Sequence, residues 1–242
     1  MVKNMEKAVS ENFHKPLFHN LRYERKFIFQ NIDLNDLIQT IVYTNNFCFE
    51  EIYSKRAVNN IYFDDNNYTF YKQNVSGDGI REKYRLRWYN STPSIIKSPI
   101  IEIKKKIGEV GDKFSLKMPS FESNIESLSI DQINSQIIEA LKETKNEELI
   151  FKLHSLFPTL SNSYERRYFL SSCEKFRITL DFNMIFFNPN NYNDYHLIDN
   201  EIILELKYNK EYDNESRAIT QQINSRLSKN SKYVRGIEII HS

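Results

Sequence analysis

The chain has 242 residues, 40% hydrophobic and 14% aromatic, enough to build a sizeable core in one large barrel or sandwich. Lys and Arg number 33 against 32 Asp and Glu, a net charge of +1, which argues against a protein that coats nucleic acid through overall basicity. That balance still allows a basic interior inside an acidic exterior.

Residues 1–20 are polar and irregular and read as a loose arm ahead of a single domain over 21–242. Arg22 to Gln30 alternates as a strand does: Arg22, Glu24, Lys26 and Ile28 share one face, and Tyr23, Arg25, Phe27 and Phe29 the other. Leu34, Leu37, Ile38, Ile41 and Val42 recur at helical spacing behind Asp33, an N-cap. Phe47–Tyr53, Ala57–Asp64 and Tyr68–Asn74 read as strands, the last two joined by a turn at Asp65-Asn66-Asn67. A second turn at Ser76-Gly77-Asp78-Gly79 leads into Lys83–Tyr89. That strand sets Lys83, Arg85 and Arg87 against Tyr84, Leu86 and Trp88.

Ile100 to Ile107 is a strand with Glu102, Lys104 and Lys106 opposite Ile101 and Ile103. Residues 112–128 read as an irregular connection. Ile130, Ile133, Ile137, Ile138 and Leu141 mark a helix capped by Ser129 or Asp131, and Glu147–Leu156 a second one stopped by Pro158. Strands then resume with Tyr164, Arg166 and Tyr168 on one face, then Arg177, Thr179 and Asp181, then Glu205 and Lys207. A last helix carries Ile219, Ile223 and Leu227, followed by a polar tail from Lys229 to Tyr233. The expected class is α+β: an eight-stranded antiparallel sheet closed into a barrel with a polar lumen, helices outside and a helix near the C-terminus.

Three strands place Glu-x-Lys on the polar face, at Glu24/Lys26, Glu102/Lys104 and Glu205/Lys207. A solvated sheet face is one reading of them. The other turns these faces towards one another, because the helices need the aliphatic side. Inside such a lumen Lys26, Arg85, Arg87, Lys104, Arg166, Arg177, Lys207 and Lys232 outnumber Glu24, Glu102, Glu205 and Asp181. An unpaired buried charge costs several kcal/mol, so the lumen is wet or holds a polyanion. Arg suits multidentate phosphate contact and Lys serves as a point charge. Carboxylates among them can hold a divalent cation that also touches phosphate oxygens.

Other chemistries find little support. There is no GxxxxGK[ST] loop and no GxSxG elbow, and the five histidines lack zinc-ligand spacing. Most aromatics face away from the arginines, so core packing explains them better than nucleic-acid stacking does. Two cysteines, Cys48 and Cys173, make no disulfide framework; half-buried thiols in a reducing cytoplasm are expected. No apolar run approaches the ~20 residues of a membrane helix, so membrane contact is expected only through a partner.

The sequence resembles a known family through Tyr23-Glu24-Arg25-Lys26-Phe27, Asn60-Ile61-Tyr62-Phe63-Asp64, Lys83-Tyr84-Arg85-Leu86-Arg87, Ile101-Glu102-Ile103-Lys104, Tyr164-Glu165-Arg166, Arg177-Ile178-Thr179-Leu180-Asp181, Leu204-Glu205-Leu206-Lys207 and Ser231-Lys232-Tyr233. These stand in the order seen in VTC domains, the polyphosphate polymerase branch of the triphosphate tunnel metalloenzymes, over residues 20 to 236. The resemblance implies a tunnel that binds ATP, tripolyphosphate or polyphosphate, with no nucleic-acid partner. It implies phosphate contacts from Lys26, Arg85, Arg87, Lys104, Tyr164, Arg166, Arg177, Lys207, Ser231 and Lys232. Mn2+ or Mg2+ would sit on Glu205, with Glu24 and Glu102 as further candidates. The wider superfamily opens with Glu-x-Glu-x-Lys, whereas position 22 is Arg, so one metal-binding carboxylate is missing.

The leading expectation is transfer of the ATP γ-phosphoryl group to a polyphosphate end, with Lys26, Arg85, Arg87, Arg166, Arg177 and Lys207 as catalytic cations. A tunnel triphosphatase using Glu24 or Glu102 to activate water is the second. A non-catalytic polyphosphate-binding module is the third.

Overall fold

The computed structural model describes residues 22–107 and 110–242; the expected arm over 1–20 lies outside the described residues. The first strand, β1 (Arg22–Gln30), buries Phe27 and Phe29. Asp33 then caps a short helix, α1 (Leu34–Leu37), by accepting from the amides of Asn35 and Asp36. The helix continues as a π-helical turn over Ile38–Tyr43 that buries Ile38, Ile41 and Val42.

The strands expected over Phe47–Tyr53 and Ala57–Asp64 are one strand, β2 (Phe49–Asp64), with register breaks between Glu51 and Tyr53 and between Tyr53 and Arg56. Such irregularities bend a strand without ending it.

Tyr68–Asn74 is not the expected strand. It lies in a helix, α2 (Thr69–Ser76). Two aspartates override its β-favouring composition. Asp64 accepts from the amides of Phe70 and Tyr71, and Asp65 from those of Asn67 and Thr69, so orphan helix donors are satisfied. Gly77, at φ 74, ends the helix in the left-handed region.

β3 (Ile80–Trp88), β4 (Ile95–Lys97), β5 (Ile100–Ile107), β6 (Val110–Lys117) and β7 (Glu122–Asn124) follow. The connection expected to be irregular over 112–128 thus contains most of one strand and all of another. Ser129 and Gln132 form a reciprocal capping box on α3 (Ile130–Lys142), and Asn146 caps α4 (Glu147–His154). Then come β8 (Phe157–Ser171), β9 (Arg177–Asn188), β10 (Asn191–Ile198) and β11 (Glu201–Asn209).

The expected last helix stops early, as α5 (Asp213–Thr220). Leu227 is 61% exposed and belongs to a two-residue strand, β12 (Leu227–Ser228). The polar tail opens a helix of its own, α6 (Lys232–Ile240), capped by Ser231.

The main sheet is antiparallel and ten-stranded, ordered β12-β1-β11-β9-β8-β2-β3-β5-β6 with β10 on β9. It is not the closed eight-stranded barrel expected. β12 occupies the free edge of β1 at Lys26 and Phe27, where a closing strand would pair. The sheet still curls strongly: Lys104 of β5 meets Glu24 of β1 at 3.0 Å, although five strands separate them in the sheet order.

Apolar packing lies mostly on the outer face. Leu86, Ile101 and Trp88 pack with Ile137 and Leu141 of α3 and Leu153 of α4. Phe27, Leu204 and Leu180 pack with Ile41, Val42 and Ile219. Each such fully buried side chain contributes about 1.5–3 kcal/mol. The inner face keeps the charges. α6 is the exception, lying against the inner face: Tyr233 stacks on Tyr62 at 5.3 Å, and a Cβ at Gly236 would collide with Leu160 and Phe186. That close approach delivers Ser231 and Lys232 to the polar face. The two cysteines are free and exposed rather than half-buried.

Candidate functional site

Cross-strand partners share a face. Registers Asn60↔Arg87, Tyr62↔Arg85, Arg85↔Glu102, Arg166↔Asp181, Lys207↔Arg177 and Lys26↔Glu205 therefore place the predicted residues on the concave side of the curl. Three carboxylate centres organise it.

Glu102 is 5% exposed. Arg85 Nε donates to it at 2.6 Å, Arg87 Nη1 lies at 3.6 Å, and Lys113 forms a third ion pair. Burial alone would raise its pKa, but Arg85, Arg87 and Lys113 together pull it down to about 2. Arg87 is held further by Asn60 Oδ1 at 2.8 Å and by the hydroxyl of buried Tyr164 at 3.3 Å.

Asp181 is fully buried. Arg166 grips it with Nε and Nη2, the latter at 2.7 Å, and Lys232 Nζ adds a bond at 2.5 Å. Burial again opposes ionisation, and Arg166 with Lys232 holds the carboxyl at about 2. The same two cations flank the Tyr164 ring, at 5.2 and 4.7 Å from its centroid.

The third centre is a pair. Lys207 Nζ lies 2.9 Å from Glu205 and 3.9 Å from Glu24, and Glu24 also binds Lys104. Burial would raise Glu205; Lys207, Lys26 and Arg166 hold it well below the carboxylate range. Lys26 donates to the Asn230 carbonyl at 2.9 Å. Arg177 shares the face but begins its strand and is exposed.

Lys83, Lys113 and Asn60 were missing from the expected site. Lys83 has the parity of Arg85 and Arg87, which could have identified it. It donates to Ser231 Oγ at 2.9 Å, and burial followed by repulsion from Lys26, Lys104, Arg85 and Arg81 lowers it to about 7. Lys113 lay in the segment read as irregular. Asn162 Nδ2 and Thr179 Oγ1, also on this face, are buried without a hydrogen-bond partner among the described residues. Surplus positive charge and unpartnered polar atoms suit an elongated oxyanion.

The VTC domain model matches residues 21–241. The chain belongs to the VTC domain family. Comparison with curated proteins finds no match. Among solved structures, a candidate adenylate cyclase from Vibrio parahaemolyticus aligns over 92% of this VTC domain chain and 99% of its own, at 12% identity and TM-score 0.50. That likeness bears on the fold alone. Another candidate adenylate cyclase, from Bacillus halodurans, covers 88% and 96% at 14% identity and TM-score 0.47. A Hippeastrum protein described as having a dominant triphosphatase activity covers 88% and 95% at 10% identity and TM-score 0.47.

For a divalent ion, the VTC domain offers oxygen donors unevenly. No group of three His, Cys, Asp or Glu suited to a metal occurs among the described residues. Glu102 and Asp181 are each tied to arginine as well as lysine, whereas Glu24 and Glu205 are met in ion pairs by lysines alone. Glu24 and Glu205 converge on one ammonium, so two carboxylates meet at a point of positive charge. That donor set fits an Mg2+-like ion, which takes one or two carboxylates and completes its shell with water and phosphate oxygens. No helix among the described residues is long and apolar enough to cross a membrane.

Proposed function

We propose that this VTC domain, as one domain over residues 21–242 of a cytoplasmic protein, is a metal-dependent polyphosphate polymerase. The observation that carries the reading is the excess of cations over carboxylates on the concave face, with Glu102 and Asp181 already neutralised. A terminal phosphate oxygen of the growing chain attacks the γ-phosphorus of ATP. The bond to the β–γ bridging oxygen breaks, and ADP leaves with the electron pair. Lys26, Arg85, Arg87, Arg166, Arg177 and Lys207 stabilise the charge on the transferring group. Lys104, Tyr164, Ser231 and Lys232 hold the chain. Glu205 and Glu24 would hold Mn2+ or Mg2+, which offsets charge on the phosphoryl oxygens when bound. Positioning and charge stabilisation are the main demands of phosphoryl transfer.

Hydrolysis is the weaker reading because it needs a base to activate water. Of the candidate bases, Glu102 is pinned at about 2 by three cations, and Glu24, opposed by burial and Glu205 but favoured by Lys104 and Lys207, is also lowered. An anionic phosphate acceptor needs no base. Incubation with ATP and Mn2+ tests the assignment: long polyphosphate plus ADP is expected. Free phosphate alone would make the protein a triphosphatase, and no turnover a binding module.

A further inference from the structure

One end of the polar face is aromatic rather than charged. Tyr53 and Tyr168 are paired across β2 and β8, and Arg56 is paired with Arg166 on the same strands. All four therefore face the channel. The Tyr53 and Tyr168 rings meet edge to face at 5.6 Å. Arg56 Cζ lies 4.5 Å from the Tyr53 centroid and 5.8 Å from that of Tyr168. Tyr53 stays 49% exposed. Arg56 is exposed too, and forms no ion pair with a carboxylate among the described residues. Arg85, Arg87 and Arg166 on the same face meet carboxylates, whereas Arg56 meets rings. The platform is continuous with the anion site, since Arg166 lies 5.8 Å from the same Tyr168 ring.

Flat π-faces and a guanidinium plane are the chemistry that stacks a heterocyclic base. They offer little directional hydrogen bonding, so they grip any base by its face. We propose that Tyr53, Arg56 and Tyr168 form a stacking platform for the base of a nucleoside triphosphate, whose phosphates run from it past Arg166. The proposal rests on the polyanion reading above and adds where the nucleoside sits. Recognition tolerates base identity and prefers purines for their larger face.

Titration calorimetry in metal-free buffer tests it, with tripolyphosphate, ATP, GTP and CTP as probes. Tyr53→Ala should weaken ATP about tenfold while tripolyphosphate stays within about twofold, which also shows that the channel is folded. Tyr53→Phe keeps the ring face and should keep ATP affinity. Wild type should bind ATP and GTP alike and CTP more weakly. Unchanged ATP affinity in Tyr53→Ala, or an equal loss for ATP and tripolyphosphate, overturns the platform and leaves the polyanion reading intact. Failure of wild type to bind tripolyphosphate overturns both.

Discussion

Glu102 and Glu205 begin from the same local pattern and end in different environments. Each precedes a lysine by two residues on the polar face of a strand, as Glu102-x-Lys104 and Glu205-x-Lys207. Across from Glu102 stands Arg85, and three cations close on the carboxylate. Across from Glu205 stand Lys26 on β1, which donates to the Asn230 carbonyl, and Thr179 on β9, neutral and with a hydroxyl unpartnered among the described residues. Glu205 is bonded by Lys207 of its own strand, which also faces Glu24. The neighbouring strand, not the local motif, makes one carboxylate an arginine anchor and leaves the other with a neighbour that can share an ion.

The largest effect is expected where that difference matters for chemistry. Under the polymerase reading, Glu205→Gln keeps size and hydrogen bonding but removes an anion from the shared pair. Metal-dependent turnover should fall on the order of a thousandfold. Metal-free tripolyphosphate binding should survive or tighten, because an anion has left an anion site. Lys207→Met should instead weaken tripolyphosphate with or without metal. Steady-state kinetics beside metal-free calorimetry separate the two. Full metal-dependent turnover in Glu205→Gln would move the metal assignment elsewhere.

Glu102 should respond as a structural anchor. Glu102→Gln leaves Arg85 and Arg87 without their carboxylate, and breaking a buried pair costs about 3 kcal/mol. Urea unfolding at pH 7 measures it. The pH sign follows from a depressed pKa. The carboxylate contributes stability above its unfolded pKa, and this is lost as pH falls through about 2. Wild type should therefore lose stability between about pH 4 and 2 more steeply than Glu102→Gln. Tripolyphosphate, which can pair with the freed arginines, should raise the melting temperature more in the variant than in wild type. Equal slopes and equal ligand shifts would show that Glu102 does not anchor the arginines.

Alternation in the long strands made the charged face legible, because period-2 patterning is local. Arg85, Arg87, Arg166, Lys26 and Glu205 could thus be assigned to one face before their neighbours were known. Closure was not legible, since it depends on which strand occupies an edge: β12 contributes two residues, and no pattern that short stands out. α2 was misread because its aromatic, β-favouring side chains speak for a strand while its cause lies upstream, in Asp64 and Asp65 used as caps. α6 was hidden because Lys229 to Lys232 look like a solvated tail, yet the apolar spacing of Tyr233, Ile237 and Ile240 follows directly. Lys113 could not be found without the strand that carries it. Thr179 shows the remaining limit, since its interest lies in a missing partner.

The smallest effect sharpens the contrast from the cation side. Lys83 faces Lys26, Lys104, Arg85 and Arg81, and its described bond is to the Ser231 hydroxyl. Its amine is lowered to about 7, first by burial and then by those cations. While it is protonated in the folded state, it opposes folding. The penalty is full below about pH 7, where folded and unfolded chains both carry the proton, and it fades as pH rises towards the unfolded lysine value near 10.4. Lys83→Met should therefore stabilise the protein more at pH 6 than at pH 9, by about 2–3 kcal/mol. A bound polyanion reverses the repulsion and favours the charged amine, so tripolyphosphate binding at pH 8 should take up protons. Calorimetry in buffers of different ionisation enthalpy reads that uptake, and Lys83→Met should reduce it. Proton uptake unchanged in the variant would mean that Lys83 does not face the bound anion, and that the polar face divides into separate ligand and structural halves at β3.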